Sequence, residues 1–213
     1  MLVDLIDRLR CPNDHADTWL VAAAGRTAHR HLVDATLGCP ECGAEFAVRD
    51  GEVWFGPGAG RASLHVGEGD ALPVSEDDVL RAAALLHLEE RGLYLLDGGW
   101  GSLASALQQM IDVDLLLADP PRAAALGEGQ GQGTLRGIGD RWPLAAASLR
   151  GIAVDQATSV RLADAVRVLR AGGRLVAPAG APLPAGVREL ARDARHWVAE
   201  KVGDVVPLMR RAK

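Results

Sequence analysis

The run Leu93-Tyr94-Leu95-Leu96-Asp97-Gly98-Gly99-Trp100-Gly101-Ser102-Leu103 restricts the fold of this chain more than any other stretch. Four apolar residues lead into one acid and a turn holding three glycines, and Ser102 to Met110 has helical character. The pattern reads as a buried parallel strand, a tight turn and the start of a helix. Glycine there lets a ligand approach the backbone, because it carries no Cβ. The N–H groups at a helix start favour an anionic group. An ordinary strand-to-helix turn has the same pattern, so the rest of the chain must decide between them.

Strand-like segments follow at Val113 to Ala118, Leu135 to Ile138, Leu149 to Val154 and Arg174 to Ala177. Helix-like segments run from Glu76 to about Glu90, Val160 to Arg170 and Pro184 to Arg195, with Ser75 the N-cap of the first. Trp197 to Val202 and Val205 to Arg210 are expected to pair around Gly203-Asp204. Alternating strands and helices predict an α/β fold with a parallel sheet and a final antiparallel hairpin.

The first 56 residues read differently. Leu2, Leu5, Ile6 and Leu9 have the spacing of a short helix. Trp19 to Ala23 and His29 to Leu37 read as strands around a turn at Gly25, and Glu45 to Val48 with Glu52 to Phe55 as a hairpin around Asp50-Gly51. Gly, Pro and small residues then dominate up to Pro73, which suits a linker. The expected organisation is a small domain over 1–56, a linker over 57–74 and an α/β domain over 75–213. The apolar Val53-Trp54-Phe55 exceeds what so small a domain buries alone, so it is expected to pack against the larger one.

A net charge of −5 disfavours nucleic acid as a partner. No apolar run approaches the ~18 residues of a membrane span, and Met1 to Asp4 lacks the basic start of a secretion signal. The three cysteines do not make a disulfide framework, and a cytoplasmic location is expected.

Cys39-x-x-Cys42 with Cys11 upstream suggests a structural Zn²⁺ held by three thiolates and a fourth ligand, at the spacing of a zinc ribbon. His15 is the expected fourth ligand, since neutral imidazole suits zinc. Asp14 is its rival, and His29 and His31 are further candidates. The second constellation is the series of strand-end acids Asp97, Asp119, Asp140 and Asp155. Ligands of open parallel sheets bind at the carboxyl ends of the strands. An acid about 20 residues beyond the glycine turn can hold ribose hydroxyls, and Asp119 stands near that distance.

From Ser75 to about Arg211 the chain resembles class I S-adenosylmethionine-dependent methyltransferases. The resemblance rests on LLDGGWGSL, on GDRWPLAAASLRGIAVD and, most specifically, on LADAVRVLRAGGRLV. Residues 1 to about 56 resemble the small zinc-ribbon proteins that activate methyltransferases, and a ribbon ahead of such a fold also resembles the ribosomal RNA guanine methyltransferases. The resemblance implies a Rossmann-like methyltransferase sheet with a small N-terminal zinc-ribbon domain. It also implies S-adenosylmethionine near Asp97, Gly99 and Gly101, with ribose on Asp119, the adenine amino group on Asp140 and the ring walled by Trp142. Asp155 is the candidate general base, and the methyl acceptor is open. Two departures from the family pattern, Leu103 at its third glycine and a short Asp119 to Asp140 segment, favour the alternative of a non-catalytic scaffold or binding protein.

Overall fold

The computed structural model describes residues 1–56, 74–89, 91–121, 124 and 133–203. Their strands form one eleven-stranded sheet, in the order β1-β2-β3-β4-β7-β6-β5-β8-β9-β11-β10. The strands are β1 (Val21–Ala28), β2 (His31–Gly38), β3 (Glu45–Arg49), β4 (Glu52–Trp54), β5 (Leu93–Asp97), β6 (Asp114–Ala118), β7 (Gly133–Arg136), β8 (Leu149–Ala153), β9 (Leu169–Pro178), β10 (Val187–Arg192) and β11 (His196–Lys201). The helices are α1 (Glu76–Leu86), α2 (Ala104–Met110) and α3 (Ser159–Val168).

The parallel block β7-β6-β5-β8-β9 has the doubly wound order, and chain order reverses between β5 and β8. Every residue of β5 is buried, as a strand covered on both faces requires. Its side chains alternate between two cores. Leu93 and Leu95 join the core beneath α3, whereas Tyr94 and Leu96 join the one beneath α1 and α2. Ser75 caps α1 by accepting from the Asp78 N–H at 3.1 Å. Thr158 caps α3 in the same way at 3.2 Å, accepting from the Arg161 N–H.

The N-terminal region is continuous with this sheet. β4 lies parallel to β7, with Val53 beside Leu135, and the Phe55 N–H donates to the Arg136 carbonyl at 2.8 Å. Val53 and Leu135 are fully buried in the core that also holds Leu95 and Ile152. The chain start covers the same face. Met1 lies against Gly133, and Leu9 bridges to Leu144. Arg136 donates to Glu52 at 2.9 Å and ties β7 to β4 again through a side chain.

Several expectations change. Val3–Arg8 is a 3₁₀ helix. The β1–β2 turn lies at His29-Arg30, both with positive φ, and Gly25 falls at an irregularity within β1. Helix α1 ends at Leu86, where His87 turns left-handed. Residues Gly98–Leu103 form a 3₁₀ turn before α2. The segment expected as a helix from Pro184 to Arg195 contains strand β10, paired antiparallel with β11. That pairing, not one around Gly203-Asp204, makes the final hairpin; residues 204–213 lie outside the described residues. Most of the expected linker, and the loop up to Gly133, also lie outside them.

Candidate functional site

Two sites emerge from the fold. The first joins the chain start to the knuckle between β2 and β3. Cys11, His15, Cys39 and Cys42 present ligand atoms that all lie within 4.8 Å of one another. Cys11 Sγ stands 3.8 Å from Cys42 Sγ, and Cys39 Sγ 3.5 Å from His15 Nε2. Four ligands about 2.3 Å from a tetrahedral zinc would be separated by about 3.8 Å, so the donor set and its spacing fit Zn²⁺. His15 Nδ1 lies 2.7 Å from the Ala16 carbonyl, which leaves Nε2 to face the thiols. The Asn13 amide donates to Cys42 Sγ at 3.4 Å.

The surroundings polarise these thiols unequally. Hydrogen bonds from the Ala44 N–H and from Asn13 bring Cys42 down to about 6. Burial pushes Cys11 up to about 12, the direction that a nearby cation would reverse. Asp14, the rival ligand, is exposed and stands outside the cluster. His29 and His31 lie at the β1–β2 turn, also outside it.

The second site is the switch point at the carboxyl ends of β5, β6 and β8. Gly98 has φ +55°, and a Cβ there would come within 2.5 Å of the Asp155 carboxylate. The turn therefore needs glycine because Asp155 folds over it. The Gly99 N–H donates to Asp155 Oδ2 at 3.0 Å. Gly101 is buried against Pro120, with no room for a side chain.

Asp97 is 3% exposed. Its carboxylate accepts from the Asp155 N–H at 3.0 Å and from the Arg161 guanidinium at 2.8 Å. Burial pushes Asp97 up to about 6, against the pull of Arg161. Arg161 is buried too, and its guanidinium lies 4.4 Å from the centre of the Trp142 ring.

Asp119 turns left-handed, with φ +42°, and its carboxylate meets the backbone just past the end of β7. Its two oxygens accept from the Gly137 N–H at 2.6 Å and the Ile138 N–H at 3.0 Å. Trp142 is 1% exposed and donates from Nε1 to the Arg161 carbonyl at 3.2 Å. Its place is the α3-side core, under Arg161, so it is not available as the open wall of an adenine pocket. Asp140 is exposed, as are Gly99 and Asp155. Leu103 packs into the α1/α2 core.

Sequence reasoning missed Arg161. An arginine one turn into an amphipathic helix reads as a solvated residue, and only the fold places it beside a buried acid. It also missed a cluster beside the glycine turn, where Trp100 meets the His196 ring at 4.8 Å. Arg81 of α1 bonds Asp193 there and reaches His196 Nδ1 at 3.4 Å. Burial and Arg81 lower the His196 pKa.

No protein-family model matches the chain, and no curated protein matches it. Among solved structures, it is similar to a protein of Methanococcus maripaludis assigned as an S-adenosyl-L-methionine-dependent methyltransferase, at 12% identity over 61% of this chain and 86% of that one, TM-score 0.45. It is also similar to an S-adenosyl-L-methionine methyl transferase of Silicibacter pomeroyi, at 16% identity over 60% and 99% of the two chains, TM-score 0.43. A third is the antibiotic-resistance methyltransferase Kmr, at 17% identity over 62% and 95%, TM-score 0.40.

Proposed function

We propose that this chain is a methyltransferase-like scaffold or binding protein, stabilised by zinc, whose cofactor end is occupied by its own side chains. One observation carries the reading: the chain itself satisfies the strand-end carboxylates that a nucleoside cofactor would need. Asp119 spends both oxygens on backbone N–H groups, Asp155 takes the Gly99 N–H, and Asp97 is bound by Arg161. Hydrogen bonds to charged groups contribute about 1.5–3 kcal/mol each. Freeing Asp119 alone would therefore weaken a ligand by one to several decades, at ~1.4 kcal/mol per decade.

The zinc ribbon has a place in this reading. Cys11, His15, Cys39 and Cys42 would hold Zn²⁺ as a structural ion, and β4 then covers the β7 edge of the parallel block. The ribbon acts on its own chain as a permanently attached stabilising subunit. The acidic balance disfavours nucleic acid as its partner.

A second reading, an S-adenosylmethionine-dependent methyltransferase, is favoured by the convergence of Asp97, Asp119 and Asp155 on one switch point beside the exposed Gly99. There Gly99, Gly101 and Asp97 would face the methionine part, Asp119 the ribose and Asp140 the adenine, with Asp155 as base. Calorimetry of the zinc-loaded chain with S-adenosylmethionine and with S-adenosylhomocysteine separates the two readings. The scaffold predicts no saturable heat from either compound. Saturable binding that Asp119→Ala weakens tenfold or more would overturn it in favour of the enzyme.

A further inference from the structure

Strand β11 alternates between the two cores. Trp197 and Ala199 join the core beneath α3, whereas Val198 joins the one beneath α1 and α2. His196, two places before Val198, therefore lies on the α1 side, at the end of β11 that pairs with Pro178. Three elements meet it there. Its ring lies 4.8 Å from that of Trp100, in the glycine turn after β5. Its Nδ1 lies 3.4 Å from a guanidinium nitrogen of Arg81, in α1. Asp193, in the turn between β10 and β11, accepts from that guanidinium. The other oxygen of Asp193 accepts from the N–H groups of Arg195 at 2.8 Å and of His196 itself at 2.9 Å.

We propose that His196 is a proton-operated latch on the glycine turn: neutral, it fastens Trp100 to α1 through Arg81, and protonated, it parts from Arg81 and releases Trp100. A guanidinium only donates hydrogen bonds, so Nδ1 must be the acceptor, and an imidazole accepts only when it is neutral. A proton on Nδ1 would face the Arg81 N–H, with both groups positively charged. The charges around this contact are Arg81 and Asp78 of α1, Asp193 and Arg195 of the β10–β11 turn, and Asp155 beyond β8; the glycine turn and Pro178 bring none. Each of the three acids already has a partner: Asp78 takes Arg195 at 3.2 Å, Asp193 takes Arg81, and Asp155 takes the Gly99 N–H at 3.0 Å. Burial, Arg81 and Arg195 hold His196 below its ordinary 6.5, against Asp193 and Asp155. A lowered value means that the latch is closed at and above pH 6.5 and opens as pH falls through that lowered value. Ligands of open parallel sheets bind at the turn so held. The latch goes beyond the binding-protein reading and does not depend on it.

Nuclear magnetic resonance of the full zinc-loaded chain, titrated from about pH 8 to about pH 5 across the ordinary histidine range, tests the proposal. Each of the five tryptophans gives one indole N–H signal, and Trp100→Phe identifies that of Trp100. The expected result is that the Trp100 signal, the amide signals of residues 98–103 and the His196 ring signals shift together, with one midpoint below 6.5. Protection of the turn amides from hydrogen exchange should fall below that midpoint. His196→Gln stays neutral throughout, and its amide oxygen can still accept from Arg81, so the Trp100 signal should not move. Arg81→Met removes the cation from Nδ1 and should raise the midpoint. A Trp100 transition that His196→Gln retains overturns the proposal. So does a His196 ring that titrates while Trp100 and the turn stay unchanged, a ring that stays neutral over the whole range, or a midpoint that Arg81→Met fails to raise.

Discussion

The N-terminal end, here called the ribbon after the zinc-ribbon reading proposed for it, and the parallel block share one sheet but are held together differently. In the parallel block, β5 is buried along its whole length, and its side chains feed two apolar cores. In the ribbon, most residues of β1 are exposed, and the interior is drawn from scattered positions such as Leu5, Leu37 and Phe46. So small a core needs help. The β4–β7 ladder supplies part of it, and zinc on the four metal-type ligands would supply more. The parallel block joins strands distant in sequence through continuous apolar burial, whereas the N-terminal end is a run of local antiparallel hairpins over a thinner interior.

The largest expected effect breaks the comparison at the metal site. Structural zinc contributes an apparent ~10–16 kcal/mol in small zinc domains. Zinc removal by a chelator, or Cys39→Ser, should therefore unfold the ribbon. Hydrogen exchange should rise most in β1–β4, and less in β5 and β8, which share the core at Val53 and Leu135. Elemental analysis of untreated protein should show one zinc per chain. Slow exchange in β1–β4 of metal-free protein would show that the sheet alone holds the ribbon.

Next comes the buried pair in the parallel block. Arg161→Met keeps an apolar side chain on Trp142 but strands Asp97, and breaking such a pair destabilises by about 3–5 kcal/mol. The loss should depend on pH in a definite sense. Asp97 is held above its unfolded value, at about 6. Its contribution is therefore complete below the unfolded value of 3.8 and is lost as pH rises through about 6. Without Arg161 the folded value climbs further. Denaturant melts should then show a larger deficit at mildly alkaline than at mildly acidic pH. Equal deficits at both would rule out the ion pair as the cause.

The junction offers a somewhat smaller effect. Leu135→Ala removes a fully buried side chain of β7, in line with Val53 of β4, at about 2–5 kcal/mol. If the regions fold as one unit, ribbon and block should lose stability together, with Trp fluorescence and far-ultraviolet dichroism melting at one shared midpoint. Two separated midpoints would make the junction a contact between independent units. The smallest effect lies in α1. Ser75→Ala removes a cap worth about 1 kcal/mol and should lower the melting temperature by a few degrees without changing zinc content.

Much of this architecture was legible from local patterns. Apolar runs ending in Asp97 and Ala118 marked buried strands, and Asp50-Gly51 marked a hairpin. Ser75 announced its helix. The spacing of Cys11, His15, Cys39 and Cys42 points to one site, and the fold gathers them. The misreading at 184–195 has a definite cause. Val187, Leu190 and Ala191 have helical spacing, but from Arg188 to Arg192 every residue is exposed, so no helix face is buried to reward that spacing. The backbone of β11 supplies the partners instead.

The sequence by itself determined which segments are apolar enough to be buried, where turns and caps fall, and which residues can hold a metal. The first two follow from side chains within a few positions of one another, and the third from the chemistry of two short motifs, Cys11 to His15 and Cys39 to Cys42. Only the tertiary structure decided that β4 would extend the parallel sheet at β7, because a strand's partner is chosen by matching edges and shared burial across many residues of chain. It also decided the fate of the strand-end acids. A carboxylate bonds to whichever N–H or guanidinium the fold brings within about 3 Å. For Asp97 that group is Arg161 and for Asp119 it is the Gly137–Ile138 backbone, neither of which is adjacent in sequence.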